Sequence, residues 1–453
     1  MSKFVKLKKG FDIRLVGKAD KKIVPVAPSE TYVLKPTDFV GLQSPKLLVH
    51  EGDKVKAGTP LLFDRKSEEV LYSSPVSGEV IEINRGEKRK LLSVKILADK
   101  TIEYVEFPKY SDAEISNLSR EDILSNLLKS GSWINIIQRP FGIVADPQDT
   151  PKSIFISTFD THPLAPDTAF LLKGQEQNFQ IGINILKKLT SGIVHLGVNA
   201  NAQASSFFTN VKDVQINKIS GPHPAGNVGV HIHHIDPINK GDVVWTVSPW
   251  GVAHIGKLFS EGKYDASKVI ALVGSEVKNP QYYEVISGTS ISKLVEQNLK
   301  SDNVRFISGN VLTGERIEKD GYLGHYHNMV TVIPEGNYYE MLGWIKPTTR
   351  LSFHRAFGLL SFLNPKKEYV LDTNTRGEER AFVMTGAFER VLPMDIYPTH
   401  LLKAILAQDY DDMEALGIYE VIEEDLALCE FIDVSKHDVQ AILRDGLTLI
   451  KEG

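Results

Sequence analysis

Short runs of β-branched and apolar residues, interrupted by Gly and Pro at close intervals, occupy the chain from about Val24 to Val105. This pattern predicts a β domain in residues 1–110. Gly52 and Gly58 stand at positions where tight turns require a positive φ, which glycine adopts without strain.

After this region the apolar positions change to a helical and then a mixed spacing. Helical spacing predicts helices at residues 112–130 and 175–189. Apolar runs at 154–156 and 193–198 flank the second helix, which predicts a β-α-β unit and a parallel, Rossmann-like sheet within residues 111–258. A compact β-α-β module follows from residue 268, and apolar stripes predict a helical domain in residues 376–453. The fold class is therefore α/β, with an α+β multidomain organisation.

The N-terminal β pattern contains two characteristic stretches. Residues 49–61 read V-x-E-G-D-x-V-x-x-G-x-P-L, and residues 74–80 read S-P-V-x-G-x-V. These stretches resemble the biotinyl/lipoyl carrier fold, a flattened β-barrel. Carriers present a modified lysine between methionines, whereas Lys66, at nearly the matching position, has no methionine beside it. We therefore expect the barrel scaffold with an unmodified surface lysine.

Composition excludes several classes of protein. No apolar run approaches the roughly 18–20 residues that a membrane helix requires, and no secretory h-region follows the N-terminus. Cys429 is the only cysteine, so internal disulfides, four-thiolate iron–sulfur clusters and Cys-rich zinc fingers are excluded. The net charge is −5 without a long basic stripe, which argues against a nucleic-acid partner. The basic segment 1–22 could face acidic lipid or a partner protein, or form a solvated face.

Two glycine-containing segments could suggest nucleotide binding, and neither fits. The chain has no G-x-G-x-x-G, and two prolines in residues 221–229 remove amide donors that would bind a pyrophosphate. Residues 251–258 nearly match a P-loop, but Leu258 replaces the hydroxyl that ligates magnesium. We therefore expect that these motifs do not bind NAD, flavin or ATP.

Two further groups of residues suggest chemistry. In a strand His231 and His233 would share a face and could bind zinc or copper, but two ligands are too few, so we expect hydrogen-bonding histidines and no metal site. The run from Trp133 through Arg139 to Phe141 suits an aromatic ring that carries carbonyl groups. The alternative is a core strand capped by an arginine.

In this order the segments resemble the A-type subunit of the bacterial sodium-translocating NADH:quinone reductases, essentially end to end. The most specific blocks are residues 221–226 (GPHPAG) running into 231–233 (HIH), 376–381 (RGEERA), 389–396 (ERVLPMDI) and 424–430 (EDLALCE). The resemblance implies a peripheral protein on the cytoplasmic face of the bacterial inner membrane. Its partners would be quinone and the five other subunits of a sodium pump, especially the membrane-embedded B-type subunit.

The resemblance also implies an architecture related to the flavin subunit of respiratory complex I. A ubiquitin-like SLBB module would occupy residues 262–313, and a return β segment with a linker would occupy 314–375. The C-terminal domain would be an iron–sulfur domain without its cluster. Cys429 alone remains of the cluster cysteines, and residues 139–142 (RPFG) replace a glycine-rich flavin loop.

The resemblance therefore implies no cofactor in this chain, with FMN, FAD, riboflavin and iron–sulfur on other subunits and ubiquinone as the substrate of the complex. No catalytic residue is expected here. Trp133, Arg139 and Phe141 are the candidates for quinone contact. Two alternatives stay open: a purely structural assembly subunit, and a flavin- or NADH-binding dehydrogenase subunit.

Overall fold

The computed structural model describes residues 2–201, 205–339, 341, 351, 353 and 366–453. Among the described residues nine strands precede the first α-helix. They are β1 (Phe4–Lys6), β2 (Ile23–Val24), β3 (Thr31–Leu34), β4 (Pro45–Leu47), β5 (Lys54–Val55), β6 (Pro60–Asp64), β7 (Ser67–Ser73), β8 (Gly78–Arg85) and β9 (Leu91–Ala98).

Seven of these strands form the predicted β domain. One sheet has the order β3-β9-β8-β5 and the other β4-β6-β7, with antiparallel neighbours. Fully buried Leu61, Val80 and Ile96 lie in its core. Gly52 and Gly58 have φ of 91° and 94°, which confirms the predicted turns. Lys66 lies in the β6–β7 turn, and its Nζ donates to Gln43 Oε1 at 2.5 Å.

The first two strands belong to other sheets. β1 pairs in parallel with a strand around Lys218, and β2 pairs in parallel with a strand around Tyr282. Residues 4–24 therefore connect parts of the fold that lie far apart in sequence, and the predicted 1–110 domain supplies strands to its neighbours.

The second domain is built of alternating helices and strands. They are α1 (Asp112–Asn117), α2 (Arg120–Ser130), β10 (Ile136–Arg139), β11 (Ile143–Val144), β12 (Ser153–Ser157), α3 (Thr168–Leu171), α4 (Glu176–Lys187), β13 (Ile193–Asn199), α5 (Ser206–Thr209), β14 (Gln215–Ser220), α6 (Val228–Ile235), β15 (Val244–Val247) and α7 (Pro249–Glu261). The strand order is β1-β14-β13-β12-β15-β10-β11, with parallel pairing from β1 to β15.

The predicted β-α-β unit is confirmed as β12, α4 and β13, whose strands are parallel. The predicted helix at 112–130 is two helices, because Ser119 caps the N-terminus of α2 by accepting from the Asp122 backbone N–H. The near P-loop segment lies inside α7 and is helical along its whole length.

Helices α4 and α7 pack closely through two glycines. A Cβ at Gly182 would lie 2.0 Å from the carbonyl oxygen of Val252, and a Cβ at Gly256 would lie 1.7 Å from that of Asn178. Neither distance is tolerated by a real side chain, so glycine sets the separation of these helices.

The third region is a six-stranded mixed sheet. Its elements are β16 (Ser267–Val273), β17 (Gln281–Ile286), α8 (Ser292–Val295), β18 (Val304–Ser308), β19 (Glu315–Ile317) and β20 (Met329–Pro334). The order is β19-β18-β20-β16-β17-β2. β19 and β20 fall in the predicted return segment, whereas residues 342–350 and 354–365 of the predicted linker lie outside the described residues.

The C-terminal region is helical, as predicted. Its helices are α9 (Phe388–Val391), α10 (Pro398–Ala407), α11 (Tyr410–Ala415), α12 (Glu423–Ile432) and α13 (Val439–Glu452). Buried Leu401, Leu402 and Leu443 lie in their common core, whereas Leu406 on α10 is 58% exposed. In the part of the chain that the structure describes, no helix is long and apolar enough to span a membrane.

Candidate functional site

A cavity of about 600 Å³ lies where the second domain, the third sheet and the first turn of α12 meet. Its floor includes Ser157, the last residue of β12, and Val247, the last of β15. β12 stands between β13 and β15, so strand order reverses at this point. In open parallel sheets the crevice at the carboxyl ends of such strands is the usual ligand site.

The walls combine apolar and charged side chains. Apolar contributions come from Ile137, Leu171, Val228, Val247, Trp250 and Met329. The charged or titratable contributions include Arg139, Asp160, His162, Lys257, Lys268 and Glu424. An apolar cavity of this size with a few polar groups is typical of small-molecule sites.

Arg139 ends β10 and is 1% exposed. Its Nη1 donates to Asp425 Oδ2 at 2.7 Å, and its Nη2 donates to Glu424 Oε1 at 2.5 Å. Burial lowers the pKa of Arg139, but the charges of Asp425 and Glu424 more than offset this, so its pKa is raised and the guanidinium stays charged. The arginine therefore joins the second domain to the first turn of α12 by a buried ion pair.

The other two predicted quinone residues lie away from the cavity wall. Trp133 lies in a 3₁₀ turn, is fully buried, and donates through Nε1 to the carbonyl oxygen of Ala145 at 2.7 Å. Its ring packs edge-on against Trp245, with centroids 5.3 Å apart. Phe141 packs against Tyr419 at 6.5 Å. Of the three, the structure brings only Arg139 to the cavity, and Trp133 takes the core position of the alternative interpretation.

The shared face considered for His231 and His233 in a strand is not formed, because both residues lie in α6. On a helix, residues two apart point in different directions, so they share no face. His231 Nε2 lies 2.8 Å from the carbonyl oxygen of Ala225, and His233 Nδ1 lies 2.6 Å from Glu420 Oε2. Among the described residues no group of three or more His, Cys, Asp or Glu side chains could hold a metal ion.

An acid–imidazole pair at the cavity was not predicted. His162 Nδ1 lies 2.6 Å from Asp160 Oδ1, whereas His162 Nε2 is buried and has no hydrogen-bond partner. Burial raises the pKa of Asp160, but His162 more than offsets this and brings it to about 2. Burial likewise lowers the pKa of His162, and the negative charge of Asp160 outweighs it, so the pKa of His162 is raised. The sequence feature that could have indicated this pair is its position shortly after the apolar run of strand β12.

This pair predicts a pH-dependent stability. Because the pKa of His162 is raised in the folded state, its stabilisation is fully present below the unfolded value of about 6.5 and is lost as pH rises through the folded pKa. We expect the difference in free energy of unfolding between wild type and His162→Gln to be largest at pH 6 and to shrink towards pH 9. Urea denaturation across this range measures it.

The double variant with Asp160→Asn and His162→Gln is the control for this pair. Asp160 stays ionised throughout the range because its pKa is about 2, so the pH dependence should require both partners. A wild-type advantage that is constant or grows with pH would contradict the ion-pair interpretation.

Three models of one protein family match successive parts of the chain. Residues 5–99 match a family model described as the NqrA N-terminal barrel-sandwich hybrid domain, 118–264 the NqrA second alpha/beta domain, and 269–319 the NQRA C-terminal domain. The first and last matches confirm the predicted barrel-sandwich and SLBB-like modules.

Full-length relatives carry the name of the A-type subunit of Na(+)-translocating NADH-quinone reductase. The protein from Alcanivorax borkumensis is 40% identical over 449 residues, which cover 99% of both chains. That from Yersinia pestis bv. Antiqua is 40% identical over 451 residues, again with 99% coverage of both. A solved NAD⁺-reducing [NiFe]-hydrogenase chain matches 52% of each chain at 12% identity and a TM-score of 0.35, which is too low to support an argument. By its full-length identity to these relatives, the chain belongs to the NqrA family, the A-type subunits of the Na(+)-translocating NADH-quinone reductases.

Proposed function

We propose that the chain is the NqrA component of a reductase complex that oxidises NADH, reduces ubiquinone to ubiquinol and exports Na⁺, and that its cavity contacts the quinone ring. The observation that carries the quinone contact is the cavity of about 600 Å³ at the carboxyl ends of β12 and β15. It has apolar walls for a ring and charged groups for carbonyl oxygens. The reductase activity belongs to the complex named in these relatives, and we expect no catalysis by the isolated chain.

Within this proposal the three predicted residues have different roles. Arg139 lies on the cavity wall, where its positive charge favours an oxygen that becomes negative on reduction. Its Nη1 and Nη2 already donate to Asp425 and Glu424, whereas its Nε is buried and has no hydrogen-bond partner among the described residues. Trp133 packs against Trp245 and Phe141 against Tyr419, so neither is assigned a direct contact with quinone.

A cavity-filling variant tests the quinone contact. Ile137 and Arg139 lie two residues apart on β10 and line the same cavity, as strand alternation requires. Isothermal titration of the folded full-length chain with a short-chain ubiquinone should give micromolar binding. Ile137→Trp should weaken this binding at least about tenfold, which is roughly 1.4 kcal/mol.

Leu97→Trp is the matched control, since Leu97 is 45% exposed on β9, in the sandwich. We expect it to bind quinone as wild type does. Absence of binding to folded wild type would reject the quinone contact and leave a purely structural role in assembly as the function.

The proposal also covers assembly. The partners would be the five other subunits, especially the membrane-embedded B-type subunit, on the cytoplasmic face of the inner membrane, with FMN, FAD, riboflavin and iron–sulfur on those subunits. Support comes from an exposed edge. β1 is the last strand of its sheet, and its Phe4 is 65% exposed, with Lys3 before it and Lys6 two residues after it. An apolar side chain within a basic edge strand suits a protein or lipid surface.

Two relationships complete the proposal. The parallel order β14-β13-β12-β15 supports a Rossmann-like ancestry for the second domain. The C-terminal helices are inferred to descend from an iron–sulfur domain. Cys429 lies buried in α12, where burial raises the pKa of its thiol, so it is held as an uncharged core side chain.

A further inference from the structure

Lys268 is a buried lysine on the cavity wall. It lies on β16 and is 7% exposed. Its Nζ donates to the backbone carbonyl oxygens of His325 at 2.7 Å and His327 at 2.9 Å, and lies 5.2 Å from the centre of the Trp250 ring. These neutral contacts hold the amine at a fixed position on the wall.

The surroundings of this amine lack a paired anion. Among the described residues no carboxylate oxygen lies within 4.0 Å of Lys268 Nζ. Asp38 is the acid that acts on it, and that carboxylate instead pairs with Lys35 at 3.2 Å and accepts from the His325 backbone N–H at 2.9 Å. Burial lowers the pKa of the His325 imidazole, which therefore adds no charge at neutral pH.

The remaining titratable neighbours are histidines on two elements. His327 lies in the loop before β20, and burial lowers its pKa to about 3. His254 lies on α7, and burial lowers its pKa to about 4. Both are neutral near pH 7. Burial is therefore the largest influence on the pKa of Lys268. It lowers this pKa to about 7, although the negative charge of Asp38 acts in the opposite direction.

Lys257 provides a contrast within the same cavity. Its Nζ lies 2.5 Å from Asp265 Oδ2, and this partner raises the pKa of Lys257 despite burial. These two lysines of the cavity wall therefore differ: Lys257 is held in an ion pair, whereas the Lys268 amine has carbonyl acceptors only. Buried lysines without a carboxylate partner are the nucleophiles in proteins that form Schiff bases.

We propose that Lys268 is a reactive amine that forms an imine with aldehydes or ketones small enough to enter the cavity. The Nζ lone pair attacks the carbonyl carbon to give a carbinolamine, a proton moves from nitrogen to oxygen, and water leaves as the C=N bond forms. No oxidation or reduction occurs in this step. The reactivity of Lys268 follows from its own surroundings and does not depend on quinone binding.

Reductive labelling tests this inference on the full-length chain. Salicylaldehyde with sodium cyanoborohydride converts each imine to a stable secondary amine, and peptide mass spectrometry gives the rate at each lysine. At pH 7 we expect Lys268 to label at least about tenfold faster than Lys257, because far more of its amine is unprotonated. Its rate should rise with pH to a midpoint near 7, in keeping with its pKa of about 7.

The rates are compared within wild-type protein, so the test does not depend on any variant folding. Lys268→Arg, which keeps a cation and its hydrogen bonds, should abolish the fast-labelling site and leave Lys257 unchanged. Labelling of Lys268 no faster than Lys257, or a midpoint above pH 9, would overturn the inference.

Discussion

Replacing Arg139 with leucine is expected to lower the free energy of unfolding by about 3–5 kcal/mol, since it leaves a buried carboxylate without its partner. Asp425 is 1% exposed, and the guanidinium that neutralises it comes from a strand nearly three hundred residues earlier in the chain. Urea denaturation of wild type and Arg139→Leu at pH 7 measures the loss. Because the ion pair joins β10 to α12, the urea concentration at which the C-terminal helices unfold should fall more than that of the rest of the protein.

A charge-neutral combination separates this explanation from simple loss of packing. Adding Asp425→Asn and Glu424→Gln to Arg139→Leu removes the unpaired charges, and we expect it to regain most of the lost stability. Lys187→Met, which breaks the exposed Lys187–Asp213 pair, should change stability far less. If the triple variant is as unstable as Arg139→Leu, side-chain volume rather than charge stabilises the contact between β10 and α12.

Replacing Trp133 with alanine should lower the free energy of unfolding by about 3–5 kcal/mol, as expected for a large aromatic side chain deleted from a core. The indole is fully buried, packs edge-on against Trp245, and donates to Ala145. Thermal and urea denaturation measure the change. The loss combines a cavity with an unsatisfied carbonyl oxygen, so Trp133→Phe should lose less.

Tyr397→Ala is a suitable comparison, since that side chain is 61% exposed and should tolerate truncation. If Trp133→Ala changes stability only slightly and abolishes quinone binding, the core position is contradicted. Trp133 would then be a quinone-contacting residue, as the resemblance implied.

Much of the fold was predictable, because local spacing reports local structure. The pattern around Gly52 and Gly58 predicted the sandwich, and strands β12 and β13 with helix α4 follow their apolar spacing. At residues 228–235 the alternation of valine, isoleucine and histidine resembles a strand, in which His231 and His233 would share a face. In the structure this segment is helical, and its Gly229 lies against the side chains of Arg139 and Asp425, so tertiary packing selects the helix.

The site was predictable only in part. Arg139 stands out as the polar end of an apolar run, but its acidic partners lie in α12 and no spacing connects them. Lys268 precedes an apolar run and gives no local indication that it is buried without a carboxylate partner. Burial and charge pairing arise when distant segments meet, which is why neither residue's surroundings could be read from the chain.

The pairing of β1 and β2 has a consequence for how the protein is made. Both strands leave the ribosome first, yet their partners around Lys218 and Tyr282 are synthesised only after the sandwich and most of the second domain. The sandwich can form early from neighbouring strands, whereas the N-terminal segment must wait for non-local partners. An expression fragment that starts after residue 24 would leave β14 and β17 with open edges, which invite aggregation. Shortened versions of this chain should therefore retain their first residues even when only the second domain is wanted.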